Sequence, residues 1–263
     1  MTPAAHLEIR GLDKAFPQGP KKAPVTIVRD FGLELAEGEF VSLIGPSGCG
    51  KSTVLSIVAG LAQASAGVVL VAGKQIHHGG PDRGVVFQSP CLLPWMTAFE
   101  NVMLAVERVR PTASRASRAW HAEHYLELVG LKGALAKRPA ELSAGMRQRV
   151  ALARAFALGS KVLLLDEPFG MLDSMTRAEL QDLLVELGRR EPRTTLMVTH
   201  DVDEALFLSD RVAMMSAGPE ATLGGLVEVA LPRPRSRTVV DDPAYHALRD
   251  QLLDFLERQP QPG

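Results

Sequence analysis

Residues 45–53, with the sequence GPSGCGKST, have the composition and spacing of a loop that binds a polyphosphate. They fit the pattern G-x-x-x-x-G-K-[ST] after an apolar run and before a helical pattern, the context that this motif needs. Glycines let backbone N–H groups face phosphate oxygens, and the following helix start adds partial positive charge. Lys51 can reach the β- and γ-phosphates, and the Ser52 hydroxyl can ligate Mg²⁺. The alternative is a bare strand-to-helix turn. The predicted nucleotide-binding residues are Gly45, Pro46, Ser47, Gly48, Cys49, Gly50, Lys51, Ser52 and Thr53.

Two adjacent acids end a second apolar run, KVLLLDE, at residues 161–167. A buried strand would present Asp166 and Glu167 at its carboxyl end, where parallel sheets bind their ligands. Two neighbouring acids without a partner would be costly to bury, so a cation is expected nearby. We predict that Asp166 holds Mg²⁺ through water and that Glu167 orients or deprotonates the attacking water.

A third stretch, ELSAGMRQRVALARAFA at residues 141–157, predicts a helix whose start can receive an anion. Ser143 stands at the N-cap and Gly145 in the first turn, which leaves free N–H groups and a hydroxyl at the helix end. The chain has a single phosphate loop, and the helix that follows this loop already faces the phosphates bound there. A second phosphate-facing helix end therefore favours contact with ATP bound by another copy of the chain. An ordinary capped helix is the alternative if this motif is taken alone.

The elements that must carry these residues alternate along the chain. Helical patterns at 52–61, 144–158 and 174–189 lie between short apolar runs, which predicts a parallel sheet with helices packed on it. Residues 97–142 have helical periodicity without a strand, and we interpret them as a helical insertion. The runs predicted to be buried strands are residues 40–45, 67–73, 84–87, 161–167, 194–200 and 211–217.

The C-terminal stretch predicts one more helix, with Asp242 as its cap and Pro243 at its first position. Ala244, Leu248, Leu252 and Phe255 recur at helical spacing. So narrow an apolar stripe favours a helix docked on its own domain over one that binds a partner.

Composition limits the class of protein. The 263 residues are 46% hydrophobic and 22% charged, with a formal net charge of −1, so no global field attracts nucleic acid or anionic lipid. Two cysteines, Cys49 and Cys91, are too few for a disulfide framework and suit a reducing compartment. The N-terminus lacks the layout of a secretory signal, and no apolar run approaches the roughly 18 to 20 residues of a membrane span. We therefore expect a cytosolic protein whose membrane role is peripheral.

The sequence LSAGM at residues 142–146 is similar to the signature Leu-Ser-Gly-Gly-Gln of the ATP-binding cassette (ABC) transporter ATPases. Ala144 replaces the first Gly and Met146 replaces Gln. The resemblance implies an α/β P-loop NTPase fold with a mainly parallel sheet core, an N-terminal antiparallel β part and a helical subdomain. It implies one ABC ATPase domain over 1–263, with a core lobe at 1–96 and 159–230, a helical signature lobe at 97–158 and a C-terminal helical tail at 231–263.

The resemblance also implies roles for single residues. Phe16 would stack on adenine, although alone it suggests a core or turn residue; Gln88 would sense Mg²⁺ and the attacking water. Asp173 would lie in the loop that reaches across a dimer. His200 would contact the γ-phosphate. Taken alone, a histidine at the end of a strand more often has a structural role. Ser143, Ala144 and Gly145 would contact nucleotide. The catalytic set is Glu167, His200, Gln88 and Lys51, the metal set is Ser52, Gln88 and Asp166, and the cofactors are ATP and Mg²⁺.

The partners follow from the same resemblance. Residues 88–100 would form the contact with a transmembrane permease, although hydrophobic filling of the lobe explains Trp95 equally well. A second ABC subunit, identical or paralogous, would complete the ATP site. A substrate-binding protein would act indirectly, and no nucleic acid is expected. The chain would lie peripherally on the cytoplasmic face of the bacterial inner membrane.

The sequence LLPW, followed by ENV, is similar to the sequences of the ATPase subunits of importers for nitrate, cyanate, bicarbonate, sulfonate and taurine. The later segments PFGMLDSMTRAELQDLL and PRPRSR most resemble the ATPase subunits for nitrate and related anions. A nitrate importer ATPase is therefore predicted, with an aliphatic sulfonate or taurine importer as the alternative. A cytosolic ABC ATPase without a permease and a P-loop kinase or GTPase are the alternatives of other classes.

Overall fold

The structure is a computed structural model that describes residues 5–19 and 23–259. Short 3₁₀ turns at Lys132–Ala134, Pro139–Glu141 and Arg237–Asp241 complete its regular elements. The strands in these ranges are β1 (Ala5–Phe16), β2 (Val25–Ala36), β3 (Phe40–Ile44), β4 (Ala66–Val71), β5 (Lys74–Gln75), β6 (Arg83–Val86), β7 (Val162–Asp166), β8 (Thr194–Val198), β9 (Arg211–Met215) and β10 (Leu223–Glu228). The helices are α1 (Lys51–Val58), α2 (Ala98–Val109), α3 (Arg115–Leu128), α4 (Ala144–Ala157), α5 (Ser174–Arg190), α6 (Val202–Leu208) and α7 (Pro243–Glu257).

The chain divides into two compact units. The first comprises residues 1–80 and 193–263, and the second comprises residues 81–192. The predicted helical lobe, 97–158, falls within the second unit, which also contains β6, β7 and α5. Residues 1–4, 20–22 and 260–263, which the predicted domain ranges include, lie outside the described residues. The domain ranges stay a prediction.

The first unit contains an antiparallel sheet in the order β2-β1-β4-β5. Leu7 of β1 pairs with Leu35 of β2 and with Val71 of β4, and all three side chains are buried. This is the antiparallel β part that the resemblance implied. The run 67–73 was expected in the parallel sheet, and that expectation is wrong because the run forms β4, antiparallel to β1. An apolar run indicates burial but not the direction of the neighbouring strand.

A second group of strands in the same unit is mainly parallel. β3 lies between β8 and β9 and runs parallel to both, while β10 is antiparallel to β9. Leu43, Leu196 and Val212 are fully buried, as expected for strands covered on both faces. The carboxyl end of β3 leads into the phosphate loop, and that of β8 leads to His200.

The second unit combines the parallel pair β6–β7 with helices α2 to α5. The regular elements within residues 97–142 are helices and 3₁₀ turns, with no strand, as predicted for the helical insertion. Val162 to Leu165 of β7 are buried, and the strand ends at Asp166. Apolar side chains of α4, including Val150 and Leu152, are fully buried. The buried strand presents its two acids at its carboxyl end, as the sequence predicted.

The last helix, α7, is docked on its own unit. It begins with Asp242 as its cap and Pro243 at its first position, as predicted. Its buried face carries Tyr245 and Leu252, whereas the predicted stripe residue Ala244 is exposed. The stripe is therefore wrong by one residue at its start, because the bulky Tyr245 ring takes the position facing the core. None of the helices in the described ranges has the length and apolar content to cross a membrane.

Candidate functional site

The phosphate loop joins β3 to α1, as its sequence requires. Gly50 precedes α1 with φ 107°, a left-handed conformation that side chains disfavour. At Gly48, no atom lies within 4 Å of the position that a Cβ would take, so the loop is open on that side. The glycine spacing thus gives a loop with few side chains that ends at the start of a helix, and this arrangement fits a phosphate group.

Lys51 is buried in this loop with only 7% of its surface exposed. Its Nζ donates to the carbonyl oxygens of Gly45 and Pro46, at 2.8 Å each, and lies 3.8 Å from Sγ of Cys49. Burial raises the pKa of the Cys49 thiol, although the nearby ammonium opposes this, so the thiol is neutral near pH 7. The thiol therefore does not neutralise the Lys51 ammonium, and the positive charge held in the loop is suited to an anionic ligand.

Gln88 and Glu167 lie together in the second unit. Nε2 of Gln88 donates to Oε2 of Glu167 at 3.3 Å, although the two residues are 79 positions apart. Glu167 follows β7 with φ 44°, a conformation that costs a non-glycine residue about 1 kcal/mol. Backbone strain at the predicted general base supports a functional role for this position.

Gly170 is a residue at this site that sequence reasoning missed. A Cβ at Gly170 would lie 3.2 Å from Nε2 of Gln88 and 3.6 Å from Oε2 of Glu167. Any larger residue would therefore press on the pair. Its only sequence signal is its position three residues after Glu167, and spacing alone does not distinguish it from an ordinary turn glycine.

The segment after Gln88 is held by two buried or partly buried side chains. Arg154 of α4 donates to the carbonyl oxygens of Pro90 and Cys91, at 3.0 and 2.9 Å. The fully buried Asn101 accepts from the N–H of Leu93 at 2.8 Å and donates to the carbonyls of residues 93, 96 and 97. The Trp95 side chain on this segment is 65% exposed, so it is not part of the hydrophobic core of the helical lobe.

Ser143 caps α4, as predicted, and its Oγ accepts from the N–H of Met146 at 3.2 Å. Gly145 has a reason to be glycine that the sequence did not show. Its Cβ would lie 2.4 Å from Cγ2 of Thr176 in α5. The missing side chain therefore lets α4 approach α5, and the predicted contact of Gly145 with phosphate stays a prediction.

Substitution of Gly145 by Ala should destabilise the protein. The clash should outweigh the roughly 1 kcal/mol that Ala gains over Gly in a helix, giving a net loss of about 1–2 kcal/mol. Thr176→Ser removes the clashing methyl and keeps the hydroxyl that donates to Asp173, so Gly145→Ala/Thr176→Ser should recover most of the loss. Urea titration of the free energy of unfolding measures both effects. Gly188→Ala in α5, where no atom lies within 4 Å, is the matched control and should not destabilise. Equal losses with and without Thr176→Ser would contradict this account.

Asp173 caps α5 at an exposed position. Its carboxylate accepts from the N–H of Thr176 at 3.0 Å and from Oγ1 of Thr176 at 2.7 Å. The hydrogen bond from the backbone N–H of Thr176 is the main cause that lowers the pKa of Asp173. The structure thus gives Asp173 a local capping role, and its predicted role across a dimer is a separate prediction.

The remaining predicted residues lie at the surface. Phe16 is 43% exposed at the end of β1, with Nζ of Lys14 4.8 Å from its ring centroid, so it is not a core residue. His200 is exposed between β8 and α6. The structure brings together the loop residues around Lys51 in one unit and Gln88 with Glu167 in the other. Ser143, Ala144 and Asp173 lie at exposed helix starts.

The predicted Mg²⁺ ligands supply oxygen atoms of three kinds: the hydroxyl of Ser52, the amide of Gln88 and the carboxylate of Asp166. Mg²⁺ prefers oxygen ligands and keeps several waters, so this donor set fits it. In the described ranges no group of three or more His, Cys, Asp or Glu side chains forms a metal site. A zinc-type site in these ranges is therefore not indicated.

Comparisons with known proteins agree with this geometry. Residues 28–170 match the family profile described as ABC transporter. The chain is 49% identical over 247 residues to the nitrate import ATP-binding protein NrtD of Synechococcus elongatus, covering 94% of this chain and 89% of that protein. It is 47% identical over 253 residues to the bicarbonate transport ATP-binding protein CmpD of a Synechocystis species, covering 96% and 89%. A dimeric post-hydrolysis structure of the ATP-binding cassette MJ0796 with ADP and Pi is similar at TM-score 0.74 and 30% identity, covering 85% of this chain and 98% of that chain.

Proposed function

This chain belongs to the ABC transporter family as an ATP-hydrolysing subunit, and we propose that the transport it powers is the import of nitrate. The observation that carries the proposal is the 49% identity to a nitrate import ATP-binding protein over 94% of the chain. The geometry supports the chemistry, because a loop with a buried ammonium and a Gln–Glu pair are the parts that phosphoryl transfer to water requires.

In the proposed reaction, water attacks the γ-phosphorus in line and the bond to the β-phosphate oxygen breaks. Glu167 accepts the proton of the attacking water. The amide of Gln88 donates to the Glu167 carboxylate at 3.3 Å and holds that carboxylate in place. Lys51 offsets the charge on the β- and γ-phosphates, and His200 donates to the γ-phosphate. The products are ADP and phosphate.

Mg²⁺ is part of the proposal. Ser52, Gln88 and Asp166 would hold it, and when bound it neutralises charge on the phosphate oxygens. The chain's own contribution is the placement of these oxygen ligands on the phosphate loop, on the segment after β6 and at the end of β7.

The proposal requires a second ABC subunit, identical or paralogous. The start of α4, with Ser143, Ala144 and Gly145, would contact the γ-phosphate bound by the other subunit, and Asp173 would cross the same interface. ATP would then close the pair, and hydrolysis would remove the bridge and reopen it. Closure would act on a permease through residues 88–100, where Trp95 is exposed.

The remaining partners complete the proposed system. A substrate-binding protein would deliver the anion to the permease, and the chain would lie peripherally at the cytoplasmic face of a bacterial inner membrane. Bicarbonate is the second candidate substrate, favoured by the 47% identity to a bicarbonate transport ATP-binding protein.

Anion uptake after deletion of the gene tests the proposal. Nitrate uptake should be lost, restored by the wild-type chain and not restored by Glu167→Gln. Labelled nitrate, bicarbonate and an aliphatic sulfonate should be measured in parallel. Loss of bicarbonate or sulfonate uptake with normal nitrate uptake would reject nitrate as the substrate. Unchanged uptake of all three, with ATPase activity intact, would instead support an ATPase without these permeases.

A further inference from the structure

His200 is tied on both sides to the first turn of α6. On one side, Oγ1 of Thr199 donates to Oε2 of Glu204 at 2.7 Å, and both residues are buried. On the other side, Asp201 caps α6, and its carboxylate accepts from the N–H groups of Asp203 and Glu204. The N–H of Asp201 also donates to Oγ1 of Thr199 at 3.1 Å. The backbone position of His200 therefore depends on the position of α6.

The far end of α6 is held by Arg235, whose side chain is buried. Nη1 donates to the carbonyl oxygens of Leu206, Phe207 and Ser209, and Nη2 donates to that of Val229. The last carbonyls of a helix lack hydrogen-bond partners within the helix and carry partial negative charge. A guanidinium at this end both donates hydrogen bonds to these carbonyls and supplies the opposite charge. Burial lowers the pKa of Arg235 to about 10, which still leaves it protonated at neutral pH.

Two further arginines reach the same end of the helix. Arg233 donates to the carbonyl oxygen of Leu208 at 2.9 Å and forms an ion pair with Asp210 at 2.7 Å. The guanidinium carbon of Arg237 lies 4.2 Å from the ring centroid of Phe207. The three arginines of the sequence PRPRSR thus all contact the carboxyl-terminal end of α6.

The start of α6 is held by α7. The hydroxyl of Tyr245 and Nε of Arg249 both donate to Oδ1 of Asp203, at 2.6 and 2.9 Å. Further along both helices, Leu252 of α7 packs in one buried cluster with Ala205 and Leu206 of α6. Only 7 residues, or roughly 10 Å of helix, separate the two ends of α6, so the C-terminal segment contacts almost its whole length.

We propose that residues 233–257 form a clamp on α6 that positions His200 for γ-phosphate contact. The inference rests on the proposed function, because it assigns His200 to the phosphate. Arg235, Tyr245 and Asp203 are positioning residues in this scheme, since they act through His200 and are not among the predicted nucleotide-binding residues. The clamp gives the C-terminal tail a role in hydrolysis that goes beyond closing the core.

Asp203→Ala tests the clamp because it removes the acceptor of both α7 contacts. ATP turnover should fall by about 10- to 100-fold, since small displacements of a reacting group cost rate steeply, while the ATP dissociation constant stays within about twofold. Tyr245→Phe removes only one of the two contacts and should lower turnover a few-fold. The matched control is Asp254→Ala, an exposed α7 carboxylate paired with Arg258 in its own helix, and its turnover should be unchanged.

A double-mutant cycle with His200→Ala separates positioning from simple loss of stability. If the clamp acts through His200, Asp203→Ala should lower turnover in the wild-type background and have no further effect on turnover in the His200→Ala background, although its effect on Tm persists in both. An equal fold-loss in the two backgrounds would overturn the clamp. Tyr245→Phe, run through the same cycle, decides the question if Asp203→Ala does not fold. Wild-type protein without ATPase activity would instead overturn the proposed function.

Discussion

Glu167→Gln should lower ATP turnover by about 100- to 10,000-fold, the range that a positioned general base contributes. Gln has the shape of Glu and can keep a hydrogen bond to Gln88, which lies 3.3 Å from the carboxylate, but it cannot accept a proton from water. ATP affinity should therefore be retained. Phosphate release under saturating ATP measures turnover, and titration with ATP measures affinity.

The control for this substitution is Glu127→Gln, at an exposed carboxylate of α3 that pairs with Lys132. It should leave turnover unchanged. Turnover of Glu167→Gln near the wild-type value would reject the role assigned to Glu167. Because ATP stays intact, Glu167→Gln should also accumulate as a pair of chains in ATP, detected by light scattering. A monomer at saturating ATP would count against the role proposed for the start of α4.

Lys51→Ala should weaken ATP binding by about 10- to 100-fold, the equivalent of one charge-assisted hydrogen bond. Nζ of Lys51 is a positive charge held at the loop by the carbonyls of Gly45 and Pro46, so its loss removes one of the positive charges offered to the phosphates. Calorimetric titration with ATP measures the change.

Lys74→Ala, at an exposed lysine of β5, is the control and should bind ATP as the wild type does. Thermal unfolding of both variants is needed as well, since Lys51→Ala also removes the donor to two loop carbonyls. An unchanged ATP dissociation constant in a folded Lys51→Ala protein would show that the phosphates bind elsewhere.

Local features of this protein were determined by the sequence alone. Ser143 and Asp242 each cap the helix that follows them, as predicted from residues within one turn. The phosphate loop lies between a buried strand and a helix for the same reason, since its glycines and flanking apolar run are contiguous. Capping, helical period and strand burial depend on neighbours a few positions apart, and those neighbours are visible in the sequence.

Contacts between distant residues were decided only by the tertiary structure. The contact of Gln88 with Glu167 spans 79 positions, and Gly145 must be glycine because of Thr176 in another helix. The direction of β4 and the burial of Arg235 against α6 likewise depend on which elements pack together. Packing is selected by the fit of whole surfaces over the folded chain, so no short pattern encodes it, and the side chains that orient the reactive groups become identifiable only once the chain is folded.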